Sequence, residues 1–300
     1  MNLKSIWSVL EKAYEPIDKH VMMSVMESAS ALSLPPDWFN WAAAGLIFGA
    51  QPISIGPYMH LFPYGLARVT EDGFASAAKQ GYLIADMKGG YRLSDIGANI
   101  VQQLNQTADA SVAQLQPMPA EHLQRLVDYF LRLADASFAA PEPSGKWLCS
   151  YKRNNMNPGK DASLPRQFIY YFDQVAAYRD DAYVALWQAH QVEGHAWNTL
   201  DRLYKGGALT FDGLYEKLKA WDVPQEVYAQ DVQELIQRGW IKEKSGEYQI
   251  TPAGKQVRED VEVMTEHNFF IRWTCLNETE QEDLLSLATQ LRDGRLNSKE

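Results

Sequence analysis

The stretches "QGYLIADMKGGYRLSDIGA" (80–98) and "RGWIKEKSGEYQITPAGK" (238–255) carry one pattern twice. Each opens with a glycine, Gly81 or Gly239, followed by an aromatic and an aliphatic residue. A charged turn with glycine comes next (Gly89-Gly90; Gly246), then a tyrosine (Tyr91; Tyr248). An aliphatic and a hydroxyl residue follow (Leu93-Ser94; Ile250-Thr251), and a further glycine stands six places after the tyrosine (Gly97; Gly254). Each step has a physical reading. The first glycine can take the left-handed conformation that stops a helix. The short runs on either side of the turn alternate as a hairpin does. Ser94 and Thr251 are natural N-caps, and Pro252 suits the first position of the next helix. Helix, two-stranded wing and helix is the predicted order, twice, at an offset too long for a solenoid.

The flanking sequence supplies the rest of a winged helix-turn-helix in both copies. Before the second wing, helices are predicted over 181–204, 210–221 and 223–239, the last opened by Pro224 and lying in the recognition position. Before the first wing, 18–32 and 36–50 read as helices, and "TEDGFASAAKQG" (70–81) takes the recognition position with Thr70 as its cap. The expected fold class is mainly α with small β-hairpin wings (α+β): tandem winged helix-turn-helix domains joined by a helical linker region. The expected boundaries are 15–108 for the first winged domain and 109–177 for the linker region, which contains a basic loop at 144–166. The second winged domain spans 178–270, and 271–300 forms a C-terminal helix and acidic tail.

The wing pattern resembles that of the MarR-like winged-helix superfamily, in which "G(L/W)(I/V)…(Y/L)xLTxxG" marks the wing and the helix after it. "YRDDAYVALW" (178–187) followed by "GHAWNTL" (194–200) further resembles a group of MarR-like proteins with two winged helices in one chain. The resemblance covers roughly 15–105 and 178–290. It implies that one chain imitates the two-fold dimer that MarR regulators build from two. It brings no catalytic residues, and the fold alone serves DNA and protein contacts alike.

Charge argues partly against DNA. The chain of 300 residues carries a net charge of −10, and residues 211–300 hold 11 basic against 18 acidic groups. A DNA-binding face is ordinarily basic, because affinity comes largely from neutralised phosphates. The first recognition segment sets Glu71 and Asp72 against Lys79; the second sets Glu226, Asp231 and Glu234 against Arg238. The candidate DNA contacts are Arg68, Lys79, Lys88 and Arg92 in the first copy. In the second they are Gln230, Gln233, Gln237, Arg238, Lys242 and Lys244. A solvated helix face explains the glutamines equally well.

Between the copies, "SGKWLCSYKRNNMNPGKDASLPR" (144–166) is locally basic and rich in turn residues, so it reads as a loop. Lys152, Arg153 and Lys160 are candidate contacts for a small anionic ligand. Trp147, Tyr151, Trp187 and His190 are candidate walls of an aromatic pocket at the domain junction. A solvated linker and an ordinary core are the competing readings. "FIYYFDQVAAY" (168–178) has the spacing of a buried inter-domain helix.

"AHQVEGHAWNTL" (189–200) mimics a zinc motif with His190, Glu193 and His195. A helical zinc site needs histidines at i and i+4, whereas these are five apart, about 140° around a helix. Trp187, Val192, Ala196 and Leu200 recur at helical spacing, which makes this stretch the expected first helix of the second winged domain. Arg179-Asp180-Asp181 reads as the start of that helix, its acids in the first turn. No phosphate-binding loop, nucleophile elbow or dinucleotide fingerprint is present, so no cofactor or metal is expected. Cys149 and Cys275 are expected to be reduced thiols. No run of apolar residues is long enough to span a membrane, and the N-terminus lacks a signal peptide's features, so a cytoplasmic protein is expected. The reading is a MarR-like transcriptional regulator under ligand control. A winged-helix binding module without DNA is the alternative, and an enzyme of unrecognised type the third. The oligomeric state stays open, because an internal pseudo-dimer removes the usual reason to dimerise.

Overall fold

A computed structural model describes residues 2–87, 89–143 and 145–294. Asn2 caps a long first helix, α1 (Leu3–Ala31), by accepting from Lys4 N. Ile6, Leu10, Ala13 and Ile17 recur along it at three- and four-residue spacing, and that stripe is buried. The stripe packs into a central core with α6 (Ala120–Ala139), α8 (Leu164–Gln188), α12 (Pro252–Phe270) and α13 (Glu278–Asp293). Rings dominate this core: Trp7 stacks on Phe172 at 5.2 Å and meets Phe269 edge-on at 4.9 Å. Burying an aromatic side chain of this size contributes roughly 2–3 kcal/mol, so these contacts anchor the chain's two ends to its middle.

Two smaller cores flank it. The first is built by α2 (Trp38–Phe48), α3 (Ile55–Leu61), α4 (Ala67–Lys79), strands β1 (Leu83–Ala85) and β2 (Tyr91–Leu93), and α5 (Asp95–Ala113). The second is built by α9 (Gly194–Gly206), α10 (Phe211–Leu218) with a 3₁₀ turn at Lys219–Trp221, and α11 (Gln225–Gln237). Strands β3 (Ile241–Lys244) and β4 (Glu247–Ile250) and the start of α12 complete it. The two units match step for step. Both hairpins are antiparallel, and each is bridged by one residue from the turn between its first two helices. Ile53 exchanges both backbone hydrogen bonds with Tyr91 (2.6 and 2.9 Å), as Leu209 does with Tyr248 (3.1 and 2.8 Å). The Ser94 hydroxyl donates to Gly81 O (2.5 Å) and accepts from Gly97 N; Thr251 donates to Gly239 O (2.6 Å) and accepts from Gly254 N. The fold is therefore mainly α with two small antiparallel hairpins, as the sequence patterning predicts.

Element positions differ from the sequence reading in four places. The helix expected at 18–32 is the C-terminal half of α1, a helix that starts at Leu3: its N-terminal half lies in the central core, whereas Val25 and Ala29 pack with the first unit, which also includes the short α3. Helix α4 starts at Ala67, so Thr70 lies inside it and its hydroxyl donates to Met59 Sδ (3.7 Å) instead of capping. The segment 181–204 is two helices, because α8 ends at Gln188 and the chain turns through Gln191 (φ +52°) before α9. Within the expected basic loop, Trp147–Asn155 forms α7. No described helix is long and apolar enough to cross a membrane.

The units touch through the segment before α4. Pro63 O approaches Gly194 so closely that a Cβ there would sit 1.7 Å away. Tyr64 meets Trp221 edge-on at 5.1 Å and stacks over Trp187 at 6.2 Å.

Candidate functional site

Helix α11 buries Tyr228, Asp231, Val232 and Leu235, and this fixes which face it presents. Gln230, Gln233 and Gln237, spaced by three and four, are all exposed and share the opposite side. The inward face is pinned by a buried polar pair: Asp231 Oδ2 lies 2.8 Å from His195 Nδ1 on α9. Burial raises the Asp231 carboxyl, and the hydrogen bond from His195 works against that rise. The apparent zinc motif is thereby resolved into separate roles. His195 holds α11; Glu193 occupies the N-cap position of α9; His190 sits in the turn, stacked over Trp197 at 6.3 Å. Among the described residues, no group of three or more His, Cys, Asp or Glu is placed to hold a metal ion.

The other candidate DNA contacts fall into two sets. Lys242 and Lys244 are exposed on β3, facing Gln249 and Glu247 across the wing. Arg68 and Lys79 are exposed at opposite ends of α4, eleven residues apart and therefore on one face, roughly 16 Å apart along the axis. Glu71 and Asp72, also exposed, lie between them. Two candidates are already engaged. Arg92 pairs with Asp86 across the first wing (2.8 Å). Arg238 donates to His190 O (3.0 Å) and Gln191 O (2.6 Å), pairs with Glu234 (2.7 Å) and lies over the Trp240 ring. Its fork clamps the turn between α8 and α9, a role invisible in sequence because its partners are backbone carbonyls of another element. Lys88 lies outside the described residues.

The candidate ligand residues do not form one pocket. Lys152 alone among them lines an apolar cavity of about 380 Å³ between α1, α2, α5, α7 and α8. Val21, Met22, Leu46 and Leu104 are among its walls. Asp173 sits at the polar end, accepting from Tyr14 Oη (2.8 Å) and facing Lys152 Nζ at 3.9 Å. Tyr151 packs on Phe48 (4.7 Å), and Trp147 stacks on His60 (5.1 Å). Arg153 pairs with Asp135 (2.7 Å) and lies over the Phe138 ring. Trp187 is buried in the second unit's core. Lys160 is exposed, and its carbonyl accepts from Gln167 Nε2. Sequence reasoning missed Asp18 and Met22 of α1 and Asp173 of α8 as cavity residues; the signals were the three- and four-residue spacing of α1, read as a winged-helix element, and that of 168–178, read as a buried inter-domain helix. Cys149 is buried, and its thiol is pushed up to about 12 by that burial.

With this geometry in place, comparison with known proteins adds one result. A model of a helix-turn-helix family matches residues 173–299, which takes in α9, α10, α11, the second wing and α12. The second unit is thus a helix-turn-helix domain. No match was found among curated proteins or among solved structures.

Proposed function

We propose that this chain is a DNA-binding transcriptional regulator of MarR-like type, with two winged-helix units in one polypeptide doing the work of a dimer. The observation that supports it best is the exposed glutamine row of α11 beside a wing bearing Lys242 and Lys244, in the unit that matches a helix-turn-helix family. Glutamine amides read adenine edges in the major groove, and wing lysines neutralise phosphates. The reading is extended to the first unit because the hydroxyl cap, the close glycine and the bridge from the turn between the first two helices recur there. In this reading the chain is a binding protein rather than an enzyme, and an apolar ligand in the cavity between α1, α2 and α5 governs it.

The test is retention of a random pool of duplexes across salt concentrations. Replacing Gln230, Gln233 and Gln237 together by alanine should erase sequence preference, at about 1–3 kcal/mol per lost base contact. Lys242→Gln with Lys244→Gln should weaken every duplex alike and lower the salt slope by about two. Adding small apolar acids should shift the retained fraction. Absence of retention at low salt overturns the regulator reading, and it would favour the second one, a winged-helix module for ligands or proteins. Glu71, Asp72 and Glu226, exposed on the two recognition helices, are what favours that alternative.

A further inference from the structure

A second cavity, of about 280 Å³, lies where the two units meet, away from the glutamine row and from the apolar cavity. Its walls come from α8, α9, the 3₁₀ turn, α12 and the loop carrying Tyr64. Most of its charges are accounted for by one another. Arg258, 7% exposed, pairs with Asp201 (2.8 Å) and Glu262 (3.0 Å). Lys205 closes on Asp201 (2.7 Å), and Arg179 on Glu262.

Three wall groups stand outside these pairs: the Asp180 carboxylate, which is next to Arg179 and whose pKa burial raises, and two donors. Asn198 is 6% exposed, and its amide nitrogen is buried with no hydrogen-bond partner among the described residues. Arg202, one helical turn further along α9, has a buried Nε with no hydrogen-bond partner among the described residues. Both line this cavity. Buried polar groups are ordinarily satisfied, and a guanidinium most of all, so two unpaired donors on one wall need an explanation that the ion network does not supply. Tyr64 and Trp221 complete the site with aromatic surface.

We propose that this cavity binds a small oxyanion, a carboxylate or a phosphate, through Arg202 and Asn198. The planar fork of arginine matches the two oxygens of such a group, and the amide adds a further donor. Tyr64 and Trp221 face a substituent on the anion, and an unsaturated ring suits them best. Tyr64 comes from the first unit and Trp221 from the second, so an occupant bridges the two. This inference goes beyond the regulator reading and does not depend on it, since its test needs no DNA.

The test is calorimetric titration of the full chain with inorganic phosphate, acetate and benzoate in separate arms. The carboxylate source predicts that acetate binds and benzoate binds more tightly; the phosphate source predicts that phosphate binds more tightly than either carboxylate. In either case Arg202→Gln should weaken binding by about tenfold or more, and Arg202→Lys by less, because charge remains but the fork does not. Arg125→Gln, which removes a cation paired with Asp283 elsewhere on the surface, should leave the titration unchanged. If Arg202→Gln does not fold, Asn198→Ser provides the same reading through the second donor. No heat with any of the three anions at millimolar concentration, or affinity indifferent to both Arg202 and Asn198, would overturn the proposal.

Discussion

Asp181 shows how far a single carboxylate can act from its own neighbours in sequence. It sits within α8 and accepts from Leu148 N (3.0 Å) and Cys149 N (2.9 Å), the first turn of α7. The residue at that helix's own cap position, Lys146, offers no capping acceptor, so Asp181 serves as the cap from 33 residues away. Burial pushes its carboxyl up to about 7, against the lowering pull of the two N–H groups. A carboxyl raised in the folded state holds its proton more tightly there than in the unfolded chain. Its contribution to stability is therefore full below the ordinary carboxylate range and is lost as pH rises towards 7. The stability advantage of the native protein over Asp181→Asn should shrink between about pH 4 and pH 7 by on the order of 1 kcal/mol or more. Thermal melts of both proteins across that range check it, and a constant difference would count against the assignment. In sequence, Arg179-Asp180-Asp181 reads as acids in a helix's first turn. The chemistry is right and the helix is the wrong one, because no local pattern shows which N-terminus a mid-helix carboxylate reaches.

At the scale of elements, the wings were legible because their determinants are local: a stop glycine, a turn, a hydroxyl cap and a glycine three residues after it. The last of these is the most constrained. A Cβ on Gly97 would lie 2.1 Å from Tyr82 O, and one on Gly254 would lie 2.1 Å from Trp240 O. Only hydrogen fits where the residue just before the wing's first strand meets the following helix. Gly97→Ala and Gly254→Ala should each destabilise by about 1–3 kcal/mol, since a backbone carbonyl rather than a side chain must give way. Gly239→Ala, whose added methyl meets nothing within 4 Å, should lose only the roughly 1 kcal/mol of an unfavourable backbone conformation. Urea midpoints of the three variants give the ranking, and equal effects would refute this reading of the contact. Elements without strong local signals were missed. Helix α3 is seven residues long and contains Gly56 and Pro57; α7 is rich in lysine, arginine and asparagine and is stabilised mainly from outside by Asp181 and α8. The break before α9 was hidden because Trp187, Val192 and Ala196 keep an apolar rhythm across it. Only the left-handed Gln191 and the Arg238 clamp show the turn.

The whole molecule is arranged by contacts that no window of sequence contains. Helix α1 packs on α13 across most of the chain, and the central core draws on α1, α6, α8, α12 and α13 together. The two hairpins with their capping helices were visible in sequence, whereas the common support was not, because each of its helices is an ordinary amphipathic segment. The units also meet directly, and at one point without tolerance: Gly194 opens α9 against the Pro63 carbonyl. That contact sets where α9, and through the His195–Asp231 pair also α11, stands relative to the first unit. Gly194→Ala should force the 63–66 segment away from α9 while both hairpins and their cores stay formed, because none of their own contacts is altered. The expected signature is faster limited proteolysis within 63–66 and a larger solution radius by X-ray scattering, with helical circular dichroism unchanged. Weaker Tyr64 contact should also lower the affinity of the junction cavity for its anion, which the same titration can read. Proteolysis and radius identical to the native protein would show that the contact relaxes locally, and that the units are held in register by the central core alone.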